Sequence, residues 1–224
     1  MQWIDIETEL TTAVTDLLLA AVAVYAIVTV LRTRRAQSVK QRAAVWAIAF
    51  GFIAVAALLG FFAHGFVLTE EAEYYLWQPL YLSLGLAMSF FAIGVIIDLV
   101  DRPVPAPLVG AFIATGVGFY ALTLFLPGGF LIFIVYEAGL LIFALVSYAI
   151  LFARRRARYA GWMLAGIGVS IAAAAIQASG IVSFRLIWEF DHNGVFHLVQ
   201  IVGVLLLVRG IVDRPGVPAG ARLG

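Results

Sequence analysis

The residues best suited to chemistry lie in residues 188–200, which hold two of the three histidines of the chain. Asn193, His197 and Gln200 follow one another at intervals of four and three residues, so a helix would carry all three on one face. Imidazole and amide groups can bind a metal ion, move a proton or form hydrogen bonds with a ligand. Such a stripe inside an apolar segment is costly unless it faces a cavity, a metal ion or partner side chains. The stripe therefore predicts a functional site on the last helix.

Further polar side chains lie inside other apolar segments, at Asp16, His64, Glu137 and Gln177. At a helical rise of about 1.5 Å per residue, all four fall in the same half of the membrane as the stripe. The opposite half is expected to be almost purely apolar. This sorting predicts a polar site or cavity that opens toward one membrane face. Asp16 and Glu137 could act there as acids or bases, whereas Gln177 could hydrogen-bond a neighbouring helix or contact a ligand with Asn193 and Gln200.

The composition is that of an integral membrane protein. The 224 residues are 64% hydrophobic and 12% charged, with a mean hydropathy of +1.06, whereas soluble domains are nearer half apolar and a quarter charged. The absence of cysteine excludes thiolate nucleophiles and cysteine metal sites. The single lysine, Lys40, lies in a basic loop, which excludes a retinal Schiff base deep in the membrane. The lipid bilayer is the expected partner, and nucleic acid is not, because the basic runs are short and follow from membrane topology.

Hydropathy predicts an all-α fold, a single domain over residues 1–224 with seven transmembrane helices. The loops after the first and fifth helices and the stretch after the seventh are basic, and basic loops mark the cytoplasm. We therefore expect a multi-pass protein of the cell membrane, with its N-terminus outside and its C-terminus in the cytoplasm. Trp46 and Trp162 are expected in the aromatic belt at the cytoplasmic boundary. The predicted helices cover residues 11–31, 44–68, 78–98, 106–126, 130–153, 160–181 and 190–211.

The ends of the third and seventh helices resemble each other. Residues 100–103 read Val-Asp-Arg-Pro, and residues 212–215 repeat the same four letters. Helices 1–3 and 5–7 would then be parallel repeats, with helix 4 as the linker that restores the orientation. Two explanations stay open, a 3+1+3 repeat or a boundary composition that two unrelated helices share.

A histidine near the end of helix 2 and another near the start of helix 7, on a seven-helix chain with an outside N-terminus, resemble the CREST superfamily, which includes alkaline ceramidases and PAQR receptors. The resemblance implies a zinc ion held by His64 and His197, and hydrolysis of a lipid amide or ester by a zinc-bound water. His192 is a second-choice ligand, and Glu137 or Asp16 would be the general base. The chain departs from the pattern at three points: Gly60 replaces the family serine, Asn193 replaces the first histidine of helix 7, and helix 3 has no aspartate in its outer half, since Asp98 is at its cytoplasmic end.

Two other classes of function fit the same residues. A transporter or a ligand-binding protein would resemble the SWEET and PQ-loop proteins, which share the helix number and the 3+1+3 order. Asp16 and Glu137 would then be proton-coupled sites or contacts to a lipid or small-molecule ligand. Alternatively, His64 and His197 would be the axial ligands of a b-type haem.

Overall fold

The computed structural model describes residues 2–33, 40–126, 129–155 and 158–214, and these are the residues meant below. Seven of the helices are long and apolar enough to cross a membrane. The prediction of an all-helical, multi-pass membrane protein is therefore confirmed. Pro215, which completes the second Val-Asp-Arg-Pro stretch, lies outside the described residues.

The helices extend beyond most of the predicted apolar cores because their first and last turns are polar. Acidic residues lie in the first turn of the first and third helices, where they oppose the positive end of the helix dipole. The helices are α1 Glu7–Arg32, α2 Lys40–Gly65, α3 Glu70–Val100, α4 Ala106–Phe125, α5 Gly129–Arg155, α6 Arg158–Ser179 and α7 His192–Asp213.

The start of α3 and the end of α2 differ from the prediction. The helix α3 was expected from residue 78, yet it begins at Glu70, because the Thr69 side chain caps it by accepting a hydrogen bond from the amide of Ala72 at 3.2 Å. It continues through Pro79. The helix α2 was expected to reach residue 68, but it ends at Gly65.

Two pairs of very short strands close the end of the bundle that carries the N-terminus. Beyond α2, Phe66–Val67 (β2) pairs antiparallel with Gln2–Trp3 (β1). In the connection between α6 and α7, Phe184–Arg185 (β3) pairs with Glu189–Phe190 (β4). The sequence did not predict these pairs, since strands of two residues are too short for an alternating pattern.

Six of the helices form a closed ring, and α4 lies outside it. Around the ring, α1 packs on α2, α2 on α3, α3 on α5, α5 on α6, α6 on α7, and α7 on α1. Among the described helices, α4 makes its close contacts with α3 and α5. Only 6% of the most apolar 18-residue stretch of α4 is buried, whereas 67% of the corresponding stretch of α3 is buried. Most of α4 therefore faces outward. The ring, rather than the whole set of seven, encloses the centre of the molecule.

The contact between α3 and α4 depends on two glycines. A Cβ atom at Gly85 would lie 2.7 Å from the carbonyl oxygen of Gly116, and a Cβ atom at Gly116 would lie 2.7 Å from that of Gly85. Ser89 also donates a hydrogen bond across this contact to the carbonyl of Phe112 at 2.8 Å. Glycine at both positions therefore lets the two backbones touch, as small residues do between membrane helices.

Gly116→Ala is expected to lower the free energy of unfolding by roughly 1–3 kcal/mol, because the added methyl group must separate two backbones that are already in contact. Thermal unfolding in detergent, followed by circular dichroism, measures the loss. Gly118→Ala is the matched control: a Cβ atom there meets nothing within 4 Å. Equal melting temperatures for the two variants would contradict the close approach of α3 and α4.

Candidate functional site

A cavity of about 430 Å³ lies inside the helix ring, within the roughly 300–1,000 Å³ common for small-molecule sites. The structure brings all eight of the predicted site residues to its wall, from α1, α2, α5, α6 and α7. Their chemical roles stay predictions. The eight are Asp16, His64, Glu137, Gln177, His192, Asn193, His197 and Gln200.

The two ends of the cavity differ in chemistry. One end, called here the polar end, is lined by His64, Gln177, His192 and Asn193. The other, the apolar end, reaches Trp46. Trp46 and His64 both lie on α2, about 27 Å apart along the helix at the usual rise per residue. The wall of the apolar end and of the middle of the cavity is mainly aliphatic and aromatic, with Leu19, Phe50, Leu84, Met88, Phe91 and Leu207.

A buried pair of His197 and Asp16 lies between these ends. The Nε2 atom of His197 is 3.2 Å from Oδ1 of Asp16, and the two side chains are only 8% and 5% exposed. The other ring nitrogen, Nδ1, is 3.1 Å from the hydroxyl of Thr15. Both nitrogens of this imidazole therefore already have protein partners.

Counting protons gives the state of the pair. The hydroxyl of Thr15 has one proton, which it donates to the carbonyl of Thr12 at 2.8 Å. The Nδ1 atom of His197 must then donate to Thr15. With Nδ1 protonated, a proton between Nε2 of His197 and Asp16 makes either an imidazolium with a carboxylate or a neutral imidazole with a carboxylic acid. The 3.2 Å contact therefore places an acid beside a base between α1 and α7.

Gly60 explains how Asp16 fits between α1 and α2. A Cβ atom at residue 60 would lie 2.7 Å from both carboxyl oxygens of Asp16. This is the position at which the CREST resemblance implies a serine, and here a carboxyl group from α1 occupies the space beside it. The Oδ2 atom of Asp16 is buried and has no hydrogen-bond partner among the described residues.

His64 is at the mouth of the polar end and has a different acidic partner. Its Nδ1 atom is 2.7 Å from a carboxyl oxygen of Glu9 on α1. Its ring also meets Trp77 edge to face, with 5.9 Å between the ring centroids. The side chain of Glu9 is 32% exposed and that of His64 18%, so this pair is more accessible than the pair of His197.

The start of α7 is organised by its cap. Asp191 accepts hydrogen bonds from the amides of Asn193 at 3.1 Å and Gly194 at 2.9 Å, as an N-cap residue does. Its Oδ1 atom also accepts from the hydroxyl of Thr12 at 3.0 Å, which ties α7 to α1. Gln177 donates to the side-chain oxygen of Asn193 at 3.4 Å, an interhelical hydrogen bond of the kind expected for it.

The three histidines do not converge on one point. His64 pairs with Glu9 and His197 with Asp16, while Nδ1 of His192 is 3.9 Å from Asp191. Among the described residues, no group of three or more histidine, aspartate and glutamate side chains could hold a metal ion. The expected zinc ligands thus lie along one cavity but each has a separate carboxylate partner.

Several more polar groups of the cavity wall have no partner among the described residues, including the indole nitrogen of Trp46 and the hydroxyl of Ser170. Glu137 reaches it from α5 and forms no hydrogen bond or ion pair with any described residue. The side-chain oxygen of Gln200 on α7 is buried and has no hydrogen-bond partner in the same part of the chain. The cavity wall therefore contains acceptors that a bound molecule could satisfy.

Comparison with known protein families finds a family model that spans the part of the chain that forms the cavity. A family model described as a family of unknown function (DUF6962) matches residues 11–214. The chain belongs to this family. The match to DUF6962 includes every residue that lines the cavity, whereas Glu9 precedes it. No curated protein matches the chain, and no solved structure does.

In this DUF6962 chain the end of the bundle opposite the polar end holds a buried ionic cluster that the sequence did not predict. Asp98 is completely buried and pairs with Arg42 and Arg214, and it accepts a hydrogen bond from the hydroxyl of Tyr148 at 2.7 Å. Arg42 also donates to the carbonyl of Ile211 at 2.9 Å. These residues, the Asp98 cluster, join α2, α3, α5 and α7 below the apolar end of the cavity.

Trp46 also differs from the prediction. It was expected in the aromatic belt at the membrane boundary, but its side chain is fully buried in the core of this DUF6962 chain. It packs edge to face on Phe91, with 5.5 Å between ring centroids. Its ring also fills the space beside Gly94, where a Cβ atom would lie 2.7 Å from it. The signal that could have corrected the placement is the nearby Gly94, since a small residue in a membrane helix often accommodates a large neighbour.

Proposed function

We propose that this protein binds an amphipathic, lipid-like molecule inside the helix ring. The polar group of the ligand would lie among the histidine, amide and carboxyl side chains, and its hydrocarbon chain would extend toward the apolar end. The observation that carries the proposal is the cavity itself, because its walls change from polar to apolar along one direction. A lipid-like molecule matches both ends, and the surrounding bilayer supplies such molecules.

The proposed binding site has a defined orientation in the membrane. Basic loops favour a cytoplasmic location for the end with the Asp98 cluster, so the polar end would open toward the outer face. A lipid-like ligand would then enter with its chain first or from the outer leaflet.

The ring arrangement also supports the 3+1+3 repeat as part of this proposal. If α1, α2 and α3 correspond to α5, α6 and α7, then the contact of α3 with α5 corresponds to the contact of α7 with α1, and both contacts exist. The cavity would then lie between two related halves.

Transport of the bound molecule is the second candidate function, and the two-unit ring favours it. The Asp98 cluster closes the cavity toward the face that the basic loops assign to the cytoplasm, so passage would require its arginines and aspartate to separate. Because transport also needs binding in the cavity, the binding experiment comes first.

Zinc-dependent hydrolysis of a lipid amide or ester, which the CREST resemblance implies, has less support than binding. A zinc ion at His197 would have to displace either Thr15 or Asp16 from the ring nitrogens. His64 and His192 would likewise have to leave Glu9 and Asp191. The same contacts count against His64 and His197 as axial ligands of haem.

Ala57→Phe is expected to weaken binding of dodecanol by roughly tenfold or more, because the new ring would fill the cavity beside which Ala57 lies. Native mass spectrometry of the detergent-solubilised protein counts the bound dodecanol directly. The matched control is Leu58→Phe, since the Leu58 side chain faces away from the ring and is 42% exposed. Leu84→Trp, from α3, blocks the same cavity if Ala57→Phe does not fold. Undiminished dodecanol binding in the folded blocking variants would contradict the proposal.

A further inference from the structure

The charge of the cavity wall restricts the chemistry of its ligand, provided that the cavity binds a ligand as proposed above. Asp16 and Glu137 line the cavity, and none of the described residues in its wall is a lysine or an arginine. An anionic head group, such as a carboxylate or a phosphate, would therefore meet carboxyl groups without a fixed positive charge to offset them. The wall favours an uncharged or a positively charged ligand.

The unpartnered acceptors of the cavity wall point to a ligand that donates hydrogen bonds. Oδ2 of Asp16 and the side-chain oxygen of Gln200 are buried acceptors without partners among the described residues. The buried hydroxyl of Ser170 and the indole nitrogen of Trp46, which is a donor at the apolar end, also lack partners there. The carboxyl group of Glu137 adds a third acceptor from a third helix. Buried polar groups normally have partners, so the two buried acceptors, together with the partly buried carboxyl group of Glu137, indicate donors that come from a bound molecule.

Nearby cations are already committed to other acids. Arg42 and Arg214 bind Asp98, at the far side of the apolar end. His64 binds Glu9, and His197 binds Asp16. Nothing in the described ring therefore neutralises Glu137, and an isolated carboxylate at membrane depth is costly unless a partner or a proton compensates it.

We propose that the polar group of the ligand is a protonated amine. An ammonium group carries a positive charge and three hydrogen-bond donors, which match the three acceptors of Asp16, Glu137 and Gln200 in number and in kind. The alkyl chain of such an amine would follow the apolar wall toward Trp46. Glu137 supplies the charge that selects the amine, because Asp16 already shares its proton with His197.

The test compares dodecylamine, dodecanol and dodecanoic acid, which have the same chain length, by native mass spectrometry with the wild-type protein and Glu137→Gln. The wild type should bind the amine roughly 10- to 100-fold more tightly than the alcohol, as expected for a charged hydrogen bond, and the acid more weakly still. Glu137→Gln should remove the advantage of the amine over dodecanol.

The matched control is Glu73→Gln, in the exposed first turn of α3, which should keep the preference for the amine. Glu137→Met, which also removes the charge, is the second variant if Glu137→Gln does not fold, and it should likewise remove the advantage of the amine.

The possible failures are distinct. Equal binding of all three probes, lost in Ala57→Phe, would overturn the amine and keep the cavity as a binding site. A preference for the amine that persists in folded Glu137→Gln, or that Glu73→Gln also abolishes, would overturn the role of Glu137 and with it this inference. If none of the three probes shows binding that the blocking variants Ala57→Phe and Leu84→Trp remove, the proposed function itself is overturned.

Discussion

Asp98→Asn is expected to lower the free energy of unfolding by about 3–5 kcal/mol, one of the two largest effects of any substitution considered for this protein. Asp98 is completely buried, and it is the shared acidic partner of two arginines whose side chains are only 2% and 9% exposed. Replacing its carboxylate by an amide leaves Arg42 with a buried positive charge that no other described carboxylate contacts, since Asp101 pairs only with Arg214. The hydroxyl of Tyr148 keeps an acceptor, so the charge, rather than the hydrogen bond, causes the loss.

Asp101→Asn is the matched control for this substitution. Asp101 also binds Arg214, at 2.6 Å, but its side chain is 45% exposed. Solvent screens exposed ion pairs, which contribute about 0–1 kcal/mol. Thermal unfolding in detergent should therefore separate the two variants clearly. Similar small losses in both would mean that water reaches the Asp98 cluster and that the two arginines are not held in a dry site.

The Asp98 cluster shows where prediction from the sequence ends. Hydropathy determines the number and order of the helices, because each needs about 20 apolar residues to cross the bilayer. It does not determine which polar residues at the helix ends meet. Arg42 and Arg214 are 56 and 116 positions away from Asp98, and only the packing of the ring brings them together. A boundary aspartate beside a basic stretch looks solvated in the sequence.

The site was more accessible to sequence reasoning than the cluster. The spacing of Asn193, His197 and Gln200 predicts a shared helix face, and all three do line the cavity. The partners of the histidines could not be predicted, since Glu9 and Asp16 are on α1, far from them in sequence. Gly60 gave no signal by itself, because its role depends on the carboxyl group that packs against it.

His197→Ala is the other substitution with an expected loss of about 3–5 kcal/mol, because it leaves the buried carboxyl group of Asp16 without its partner. Asp16→Asn should cost less, since the amide can still form a hydrogen bond with the imidazole. The double variant should lose less than the sum of the two single variants, because the second substitution removes a group that the first has already deprived of its partner. His192→Ala is the control, with a change of no more than about 0.5 kcal/mol, as its side chain is partly exposed and 3.9 Å from Asp191.

A chelator distinguishes this pair from a zinc site that uses the same histidine. If His197 binds zinc, removal of the metal should lower the melting temperature of the wild type and leave that of His197→Ala unchanged, because bound metal stabilises the folded state by mass action. If His197 instead shares a proton with Asp16 and accepts no metal, the chelator should affect neither protein, and the two substitutions should still be non-additive. If the losses of stability are additive and the chelator affects only the wild type, His197 is a metal ligand rather than the partner of Asp16. Zinc-dependent hydrolysis would then be the function best supported.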